Sequence, residues 1–425
     1  MKLIIRFSVI IILIYSYSIL QVYEPFGIKY LISIVTLGCI AFEIKKIWNL
    51  LEISDVKKIK LKKIMYLFFV LILLVLSLLI MHKDAPAGNI RYVRILMILS
   101  CIGVFSKIIN VITKSSISNV IKNTSLVLFS TISFIAILEI CFMFLSLSHG
   151  SGEAYSGKIW GRKYWNPINK FGFRDENPKK GKNTIFFVGD SFTAGWGVKK
   201  IEDRFGETMA SELKKKGITI NEINLGRYGA DTHLEFHILK KFIEKSNILP
   251  NQIFLQYFVN DMDKYMPSNS NCTQYITPLP SWKKQLIEGS YLVNYLNGIY
   301  PTININTLPK ECDYIEKLKK TYNTDSIWKK EECELNKFKT YCNKNKIKLT
   351  LVFFPFMEDL SLAKKANIEG RIKKYCSLNN IAFINVTSYI KHLSREKRQV
   401  SIVDAHASAE VHNIIGKLIA KKIKI

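Results

Sequence analysis

Four clusters of polar and glycine residues each follow an apolar run in the C-terminal part of the chain. A serine hydroxyl is a weak nucleophile until a base takes its proton, and a histidine can be that base. A carboxylate can orient the imidazole and stabilise its charged form. The clusters are Gly189-Asp190-Ser191, the stretch holding Asn224, Gly226 and Gly229, the pair Asn260-Asp261, and Asp404 with His406 in "VDAHAS". These residue types are those of an acyl-transfer site.

Each cluster has a distinct predicted role. Ser191 is the candidate nucleophile, His406 the base, and Asp404, two residues earlier in an irregular turn, the group that orients it. A tetrahedral intermediate also needs donors aimed at its oxyanion. The backbone N–H groups of Ser191 and Gly229 and the side-chain amide of Asn260 are the candidates, and a glycine allows close backbone approach. The predicted supporting residues are Asp190, Asn224 and Asp261.

Each cluster taken alone also has a structural interpretation. Gly-Asp-Ser after a strand can be a helix N-cap, and Asn-Asp can be an ordinary turn. His406 can be a surface residue, and the histidines at 233, 237 and 412 lie in predicted helices, where they pack or face solvent. The catalytic interpretation therefore depends on all four clusters occurring in one order along the chain.

Strand and helix patterns alternate in the part of the chain that carries these clusters. Short apolar runs at 184–189, 218–225, 251–259, 348–355 and 381–386 predict strands, and 203–216, 231–246, 327–346, 359–379 and about 408–424 have helical spacing. Such alternation predicts an α/β fold with a parallel sheet covered on both faces. Ligands bind at the carboxyl ends of the strands in such sheets, where the first three clusters lie.

The segment 262–326 interrupts this alternation. It holds five prolines among scattered aromatic residues, and it is too long for a simple connection. We predict an insertion beside the sheet, and two interpretations stay open: a lid or substrate wall, or a surface excursion without a role.

The first 150 residues have a different character, with five long apolar spans. The candidate membrane spans are 3–22, 28–44, 64–81, 92–112 and 124–147. The linker 45–63 carries seven lysines, so the positive-inside rule places it and the N-terminus in the cytoplasm. Five crossings then put the predicted domain 151–425 outside the cell membrane. The alternatives are a cleaved signal peptide for the first span and buried helices of a soluble domain for others.

Glu139 lies deep in the last apolar span, and an ionisable residue there is a signal of function. One hypothesis is that the helices deliver an acyl group across the membrane. The structural alternative is a local hydrogen-bonded pair within the helices.

Charge and cysteine content bound the possible partners. The formal net charge is +27, but the lysines are scattered and no nucleic-acid motif accompanies them, so we predict no nucleic-acid partner. The alternatives are solvated surface faces, attraction to anionic lipid, or an anionic surface polymer. The outer part has five cysteines, an odd number whose pairing stays open: Cys272, Cys312, Cys333, Cys342 and Cys376. No CxxC or Cys/His cluster predicts a metal, and no cofactor is predicted.

The residues of the four clusters resemble the conserved blocks of the SGNH, or GDSL, hydrolase superfamily. Ser191, Gly229, Asn260 and His406 match the serine, glycine, asparagine and histidine of its blocks. The upstream stretch "NKFGFRDENPKKGKNTIFFVGDSFTAGWGV" resembles a lead-in of bacterial members, carried by Asn169, Gly172, Phe173, Arg174 and Asp175. The resemblance covers about 165–425. It implies a flavodoxin-like three-layer α/β/α sandwich with a Ser-His-Asp triad, and cleavage or transfer of acyl esters, often on carbohydrates, without a cofactor.

The sequence departs from the family pattern at two of the blocks. Phe258-Val259 precede Asn260 where the family usually has a glycine, and Asp404 is two rather than three residues before His406. Ala407 also replaces the proline or bulky residue common after the histidine. These departures leave the triad plausible and weaken any prediction of the substrate.

Together these patterns predict a membrane-anchored serine esterase or O-acyltransferase. The expected substrate is an acyl ester, acetyl above all, of a cell-surface glycan, or a small ester. The alternative is a non-catalytic glycan-binding or membrane assembly protein with a degenerate SGNH site. The sequence gives neither the acyl chain length, nor the alcohol, nor the oligomeric state.

Overall fold

The computed structural model describes residues 90–114, 118–144, 148, 155–266, 281–299 and 312–423. The chain divides into two compact units, Met1–Leu145 and Ser146–Ile425. Three of the predicted spans, 3–22, 28–44 and 64–81, lie outside the described residues, and so do 267–280 and 300–311 of the predicted insertion.

The described part of the first unit consists of two helices, α1 (Ile90–Thr113) and α2 (Asn119–Phe144). Within the described residues, α2 alone is long and apolar enough to cross a membrane, with a mean hydropathy of 2.4 over its apolar window; the apolar stretch of α1, Ile98–Asn110, is shorter. Helix α2 therefore favours a membrane association. It does not fix a topology, because core helices of soluble proteins and signal sequences also have this length and composition. Glu139 is buried within α2.

The second unit contains a five-stranded sheet and a separate two-stranded hairpin. Its strands are β1 (Thr184–Val188), β2 (Asn221–Asn224), β3 (Gln252–Phe258), β4 (Lys348–Phe354), β5 (Ala382–Asn385), β6 (Gln399–Ser401) and β7 (Asp404–Ala407). Its helices are α3 (Tyr155–Tyr164), α4 (Ser191–Ala194), α5 (Phe205–Lys215), α6 (Thr232–Ser246), α7 (Ser281–Gly289), α8 (Tyr291–Ile299), α9 (Tyr314–Asn323), α10 (Asp325–Lys344), α11 (Ser361–Lys365), α12 (Ile368–Leu378), α13 (Thr387–Ile390), α14 (Arg395–Arg398) and α15 (Ala409–Lys422). Short 3-10 turns cover Ile201–Asp203 and Val259–Tyr265.

The strand order of the main sheet is β2-β1-β3-β4-β5, and every pair is parallel. This is the flavodoxin-like order, in which the ligand site lies where the strand order reverses, between β1 and β3. The predicted α/β fold with a parallel sheet is therefore confirmed, whereas the described residues do not establish an all-α bundle of five spans.

Alternate residues of each strand pack against different helix layers. Ile185 and Phe187 of β1 face the layer that contains α5 and α15, and Phe187 stacks on Phe254 of β3 with ring centroids 5.2 Å apart. Phe186 and Val188 face the opposite layer, formed by α6, α10 and α12. Because both faces are covered, all five residues of β1 are buried, which explains why this strand reads as a continuous apolar run.

Two local predictions were wrong in detail. The helix predicted over 359–379 is two helices, α11 and α12, because Asn367 adopts a left-handed conformation (φ 58°), which asparagine tolerates better than most residues. The irregular turn predicted for Asp404 and His406 is instead strand β7, paired antiparallel with β6. The predicted segment 262–326 contains helices α7, α8 and α9 in its described part.

Cysteine chemistry is partly settled by the structure. Cys312 is disulfide-bonded, whereas Cys333, Cys342 and Cys376 are free thiols.

His412 of α15 is the histidine buried deepest in the second unit among the described residues. It is fully buried, its Nδ1 accepts a hydrogen bond from the backbone N–H of Phe205 at 3.2 Å, and its ring stacks on the Phe205 ring. Burial, with the nearby positive charges of Arg204 and Arg174, lowers the pKa of His412 to about 3. The folded protein therefore keeps this imidazole neutral in the pH range where the unfolded chain protonates it.

We expect this difference to make the fold acid-sensitive. Stability from His412 is fully present above its ordinary pKa of 6.5 and is lost as the pH falls toward about 3. The loss is about 1.4 kcal/mol per pH unit. His412→Asn keeps an acceptor for Phe205 without titrating, so its unfolding midpoint should depend less on pH between 4 and 7 than that of the wild type. The measurement is thermal unfolding of the full chain in detergent, with exposed His237→Asn as the control; equal pH dependence of wild type and His412→Asn would contradict the assignment.

Candidate active site

Ser191 begins the short helix α4 at the carboxyl end of β1. The Asp190 side chain caps this helix by accepting a hydrogen bond from the N–H of Phe192 at 2.8 Å, so the local N-cap interpretation is also correct. Ser191 is 6% exposed. The strand end and the cap together fix the position of its hydroxyl at the edge of the sheet.

Gln256 of β3 holds the turn before Ser191, a contact that the sequence analysis missed. Its Oε1 accepts hydrogen bonds from the N–H of Asp190 and the hydroxyl of Thr193, each at 3.0 Å. A side chain at Gly189 would place its Cβ 2.4 Å from this oxygen, which only glycine avoids. Gln256 is a polar residue within a buried strand, and this is the signal in the sequence that points to it.

His406 reaches Ser191 from the separate hairpin. The Nε2 atom of His406 lies 2.8 Å from Ser191 Oγ, and its Nδ1 atom lies 2.6 Å from Asp404 Oδ1. Residues two apart on a strand point to the same face, so β7 places Asp404 directly beside the imidazole. Both distances are within hydrogen-bond reach, as a nucleophile, its base and an orienting carboxylate require.

The protonation of this set follows from the charge of Asp404. Burial by itself would raise the pKa of this carboxyl, but the charge of His406 and the hydrogen bonds from His406 and Ser148 hold the pKa below its ordinary value. An ionised carboxylate only accepts hydrogen bonds, so Nδ1 of His406 carries the proton of this hydrogen bond, and Nε2 is the ring atom that can accept a proton from Ser191. This is the tautomer that a general base needs.

The two other predicted oxyanion residues follow the strands that flank β1. Gly229 lies in the loop after β2 with a φ of 70°, and Asn260 lies in the 3-10 turn that directly follows β3. The topology thus brings both residues to the same edge of the sheet as Ser191. Within the described part of the chain, the buried Oδ1 of Asn260 has no hydrogen-bond partner, and its Nδ2 is the amide atom able to donate to a ligand.

The loop after β2 packs directly on α4. The Asn224 side chain donates to the carbonyl of Thr193 at 2.9 Å, and its Oδ1 accepts from the N–H of Gly226 at 2.9 Å. The N–H of Arg227 donates to the carbonyl of Gly189 at 3.0 Å. Asn224, a predicted supporting residue, therefore joins the second strand end to the helix that begins at Ser191.

The "GFRD" stretch supports α4 from its other end. Arg174 is buried and donates to the carbonyls of Gly195 at 2.6 Å and Val198 at 2.7 Å, which lie just beyond α4. Its guanidinium also lies over the Trp165 ring, 5.2 Å from the centroid. The side chain of Asn169 accepts hydrogen bonds from the N–H groups of the turn before Arg174. The "GFRD" stretch thus stabilises the C-terminal end of the helix that begins at Ser191.

Three carboxylates next to this lead-in lie within 4.8 Å of one another and could hold a cation: Asp175, Glu207 and Glu222. Buried Arg204 forms ion pairs with Asp175 and Glu207, so its guanidinium already supplies positive charge to the group. Burial, and then Glu207 and Asp175, raise the pKa of Glu222 well above its ordinary range. The ion pairs with Arg204 and the neutral form of Glu222 therefore explain how the three carboxyl groups can lie together without a cation. The absence of a metal site stays a prediction.

Asp190 and Asp261, the predicted supporting carboxyls, are buried beside Ser191 and Asn260. Burial raises the pKa of Asp190 to about 6, and burial together with Glu235 and Glu331 raises the pKa of Asp261 well above its ordinary range. Asp261 Oδ2 accepts from the N–H of Phe258 at 3.1 Å, which stabilises the turn that carries Asn260. Around neutral pH the fold therefore favours the neutral form of Asp261, whereas Asp190 gains its proton only as the pH falls toward about 6.

No protein-family model and no curated protein matches the sequence. Solved structures that do resemble this chain include a lipolytic protein of the G-D-S-L family from Desulfitobacterium hafniense DCB-2, 11% identical over 57% of this chain and 100% of that one, with a TM-score of 0.35. An acetylxylan esterase from Geobacillus stearothermophilus is 13% identical over 58% of this chain and 96% of that one, with a TM-score of 0.33. The esterase EstA from Pseudoalteromonas sp. is 11% identical over 56% and 96%, with a TM-score of 0.32. Such low identities carry no information on the substrate of this chain.

We expect Gly226→Ala to displace the helix that begins at Ser191. A Cβ at Gly226 would lie 2.2 Å from the backbone nitrogen of Ala194 and 2.6 Å from the carbonyl carbon of Thr193. Neither backbone atom can rotate away, so the unfolding free energy should fall by about 1–3 kcal/mol, and reactivity of Ser191 toward a serine-directed phosphonate should fall with it. The control is Gly161→Ala, whose Cβ makes only an ordinary 4.0 Å contact with the Trp196 ring. A Gly226→Ala protein with wild-type stability and labelling would show that the contact is unimportant.

Proposed function

We propose that this chain is a serine esterase or O-acyltransferase of the SGNH, or GDSL, type. The observation that carries the proposal is the line of hydrogen bonds from Ser191 Oγ to His406 Nε2 at 2.8 Å and from His406 Nδ1 to Asp404 Oδ1 at 2.6 Å. The alternative of a degenerate binding site predicts that His406 points away from the serine, and this geometry disfavours it.

The first half of the reaction forms an acyl-enzyme. Ser191 Oγ attacks the ester carbonyl carbon while His406 Nε2 takes the hydroxyl proton. The carbonyl oxygen becomes an oxyanion, for which the N–H groups of Ser191 and Gly229 and the amide of Asn260 are the proposed donors. The intermediate then collapses, the bond to the alcohol oxygen breaks, and His406 returns the proton to the leaving alkoxide.

The second half regenerates the serine. An acceptor hydroxyl loses its proton to His406 as its oxygen attacks the acyl carbon, and Ser191 leaves with that proton. Water as the acceptor releases a carboxylic acid, and a sugar hydroxyl gives a new ester. The same residues serve both outcomes. Whether water or a sugar hydroxyl reaches the acyl-enzyme decides between hydrolysis and transfer.

We expect Ser191→Ala to abolish cleavage of an activated acetyl ester. Removal of a triad serine costs on the order of 10⁶-fold in kcat in a comparable triad, so the residual rate should be at background. His406→Ala should keep the serine but lose labelling by a serine-reactive phosphonate, because the hydroxyl then lacks its base. The controls are Ser211→Ala and His233→Ala, both at exposed helix positions. A Ser191→Ala protein that cleaves the ester at the wild-type rate would exclude the proposal.

We further propose that the substrate is an O-acylated cell-surface carbohydrate. The Trp196 ring lies 6.4 Å from the His406 ring and 5.0 Å from the Tyr228 ring, measured between centroids. Tyr228 is 44% exposed and directly precedes Gly229, so this side chain is open to solvent beside a proposed oxyanion residue. Aromatic faces stack well on sugar rings. Trp282, an alternative platform, is exposed on α7.

The apolar helix α2 and the disulfide-bonded Cys312 support the cellular part of the proposal. A membrane-anchored protein with its second unit on the oxidising side would meet surface glycans directly. The multi-pass topology with a cytoplasmic N-terminus stays part of this proposal, as does the hypothesis that the apolar region delivers an acyl donor.

We expect Tyr228→Ala to impair a carbohydrate substrate selectively. KM for an O-acetylated xylo-oligosaccharide should rise about tenfold, in line with loss of one stacking contact, while kcat/KM for p-nitrophenyl acetate should stay within twofold of the wild type. Tyr228→Phe keeps the ring and should behave as the wild type toward both substrates. Equal losses on both esters, or no loss on either, would contradict a sugar platform at this position.

A further inference from the structure

A serine that follows the apolar helix α2 reaches the predicted triad. Ser148 lies four residues beyond Phe144, the last residue of α2, and belongs to the compact unit Ser146–Ile425. Its hydroxyl donates a short hydrogen bond to Asp404 Oδ2, although the two residues are 256 positions apart in the chain. Each of the two residues is 1% exposed. The predicted domain 151–425 would exclude this serine.

The hydrogen bonds of Asp404 divide between its two oxygens. Oδ1 faces His406 and accepts from the imidazole at 2.6 Å and from the backbone N–H of the same residue at 3.2 Å. The hydrogen bond from Ser148 is the one to Oδ2 that the described residues show. A buried carboxylate oxygen without a donor carries the full cost of lost hydration, so this hydroxyl stabilises the ionised form of the group.

The same hydrogen bond also fixes the rotation of the carboxylate. With Oδ2 held by Ser148, Oδ1 stays in line with His406 Nδ1, and the imidazole keeps Nε2 directed at Ser191. A carboxylate held at one oxygen only can rotate or exchange its oxygens, and the imidazole would follow. Positioning of a base to within a few tenths of an ångström is what a second set of hydrogen bonds supplies.

We propose that Ser148 is a positioning residue of the active site, which acts through Asp404 and His406 and extends the Ser191–His406–Asp404 line by one member. The inference rests on the proposed function. Its consequence is that Ser148, near the start of the second unit, is part of the proposed catalytic apparatus.

Ser156 offers a matched comparison in the same region of the chain. It is also a buried serine, and its hydroxyl donates to the Asn294 side-chain oxygen at 2.8 Å. Ser148→Ala and Ser156→Ala therefore each remove one buried hydroxyl and one hydrogen bond. Only the first change removes a bond to a predicted catalytic carboxylate, so a purely structural role predicts similar effects from the two variants.

The test is steady-state kinetics of the full chain in detergent with p-nitrophenyl acetate, from pH 5 to pH 9. Ser148→Ala should lower kcat about tenfold, the size expected for one hydrogen bond to a charged group, and leave KM within twofold. The acidic side of its kcat–pH profile, called the acid limb, should move to higher pH, because Asp404 without this donor holds a proton more readily. Ser148→Thr keeps the hydroxyl and should restore both kcat and the limb. Ser156→Ala should match the wild type in both.

Other charges act on the same imidazole and do not differ between these variants. Among the described residues, the charge of His406 acts on the pKa values of Asp404, Asp190 and buried His412. Since Ser148→Ala leaves Asp190 and His412 in place, a shift of the acid limb confined to this variant reports on Asp404.

Ser191→Ala, assayed in parallel, separates the two proposals. If Ser191→Ala is inactive and Ser148→Ala retains both the wild-type kcat and the wild-type pH profile, the positioning role is excluded while the esterase proposal stands. If Ser148→Ala and Ser156→Ala lose activity equally without a pH shift, the role of Ser148 is structural and the inference fails. If Ser191→Ala is fully active, the proposed function fails first.

Discussion

The hydrogen bond between Ser191 Oγ and His406 Nε2 is the interaction on which the proposed chemistry of this protein depends. The two residues are 215 positions apart and belong to different structures, a four-residue helix at the end of β1 and a two-stranded hairpin near the C-terminus. A separation of 2.8 Å requires both structures to be held rigidly. The surrounding hydrogen bonds supply this rigidity, since α4 is too short to be stable by itself.

The short helix α4 is fixed from three sides by polar contacts to the backbone. Gln256 holds the turn before it, the Asn224 side chain holds the carbonyl of Thr193, and Arg174 holds the carbonyls of Gly195 and Val198 behind it. Each donor or acceptor comes from a different part of the chain. These contacts explain why a strongly polar group of residues is buried at the edge of an otherwise apolar sheet, where unpaired polar groups would be costly.

Buried carboxyls in this site differ in charge because their partners differ. Asp404 faces the imidazole of His406 and the Ser148 hydroxyl, which hold its pKa below the ordinary value despite burial. Burial raises the pKa of Asp190 to about 6, against the hydrogen bond from Phe192 and the charge of His406, and burial with Glu235 and Glu331 raises the pKa of Asp261 well above its ordinary range. The result is an ionised Asp404 next to the proposed base and a neutral Asp261 in the turn that carries Asn260.

The sequence by itself determined the parts that depend on local pattern. Buried strands appear as apolar runs because both faces of a parallel sheet are covered, and the order of the clusters around Ser191, Asn224 and Asn260 follows from strand ends that share one edge. Tertiary structure alone decided the contacts between residues that share no local pattern. Strand β7, rather than a turn, places Asp404 beside His406. Gln256 reaches the turn before Ser191 through two hydrogen bonds, across 66 and 63 positions, and Ser148 reaches Asp404 through one, across 256 positions. Such contacts leave no periodic trace in the chain, because each depends on one donor meeting one acceptor only after the whole domain has folded.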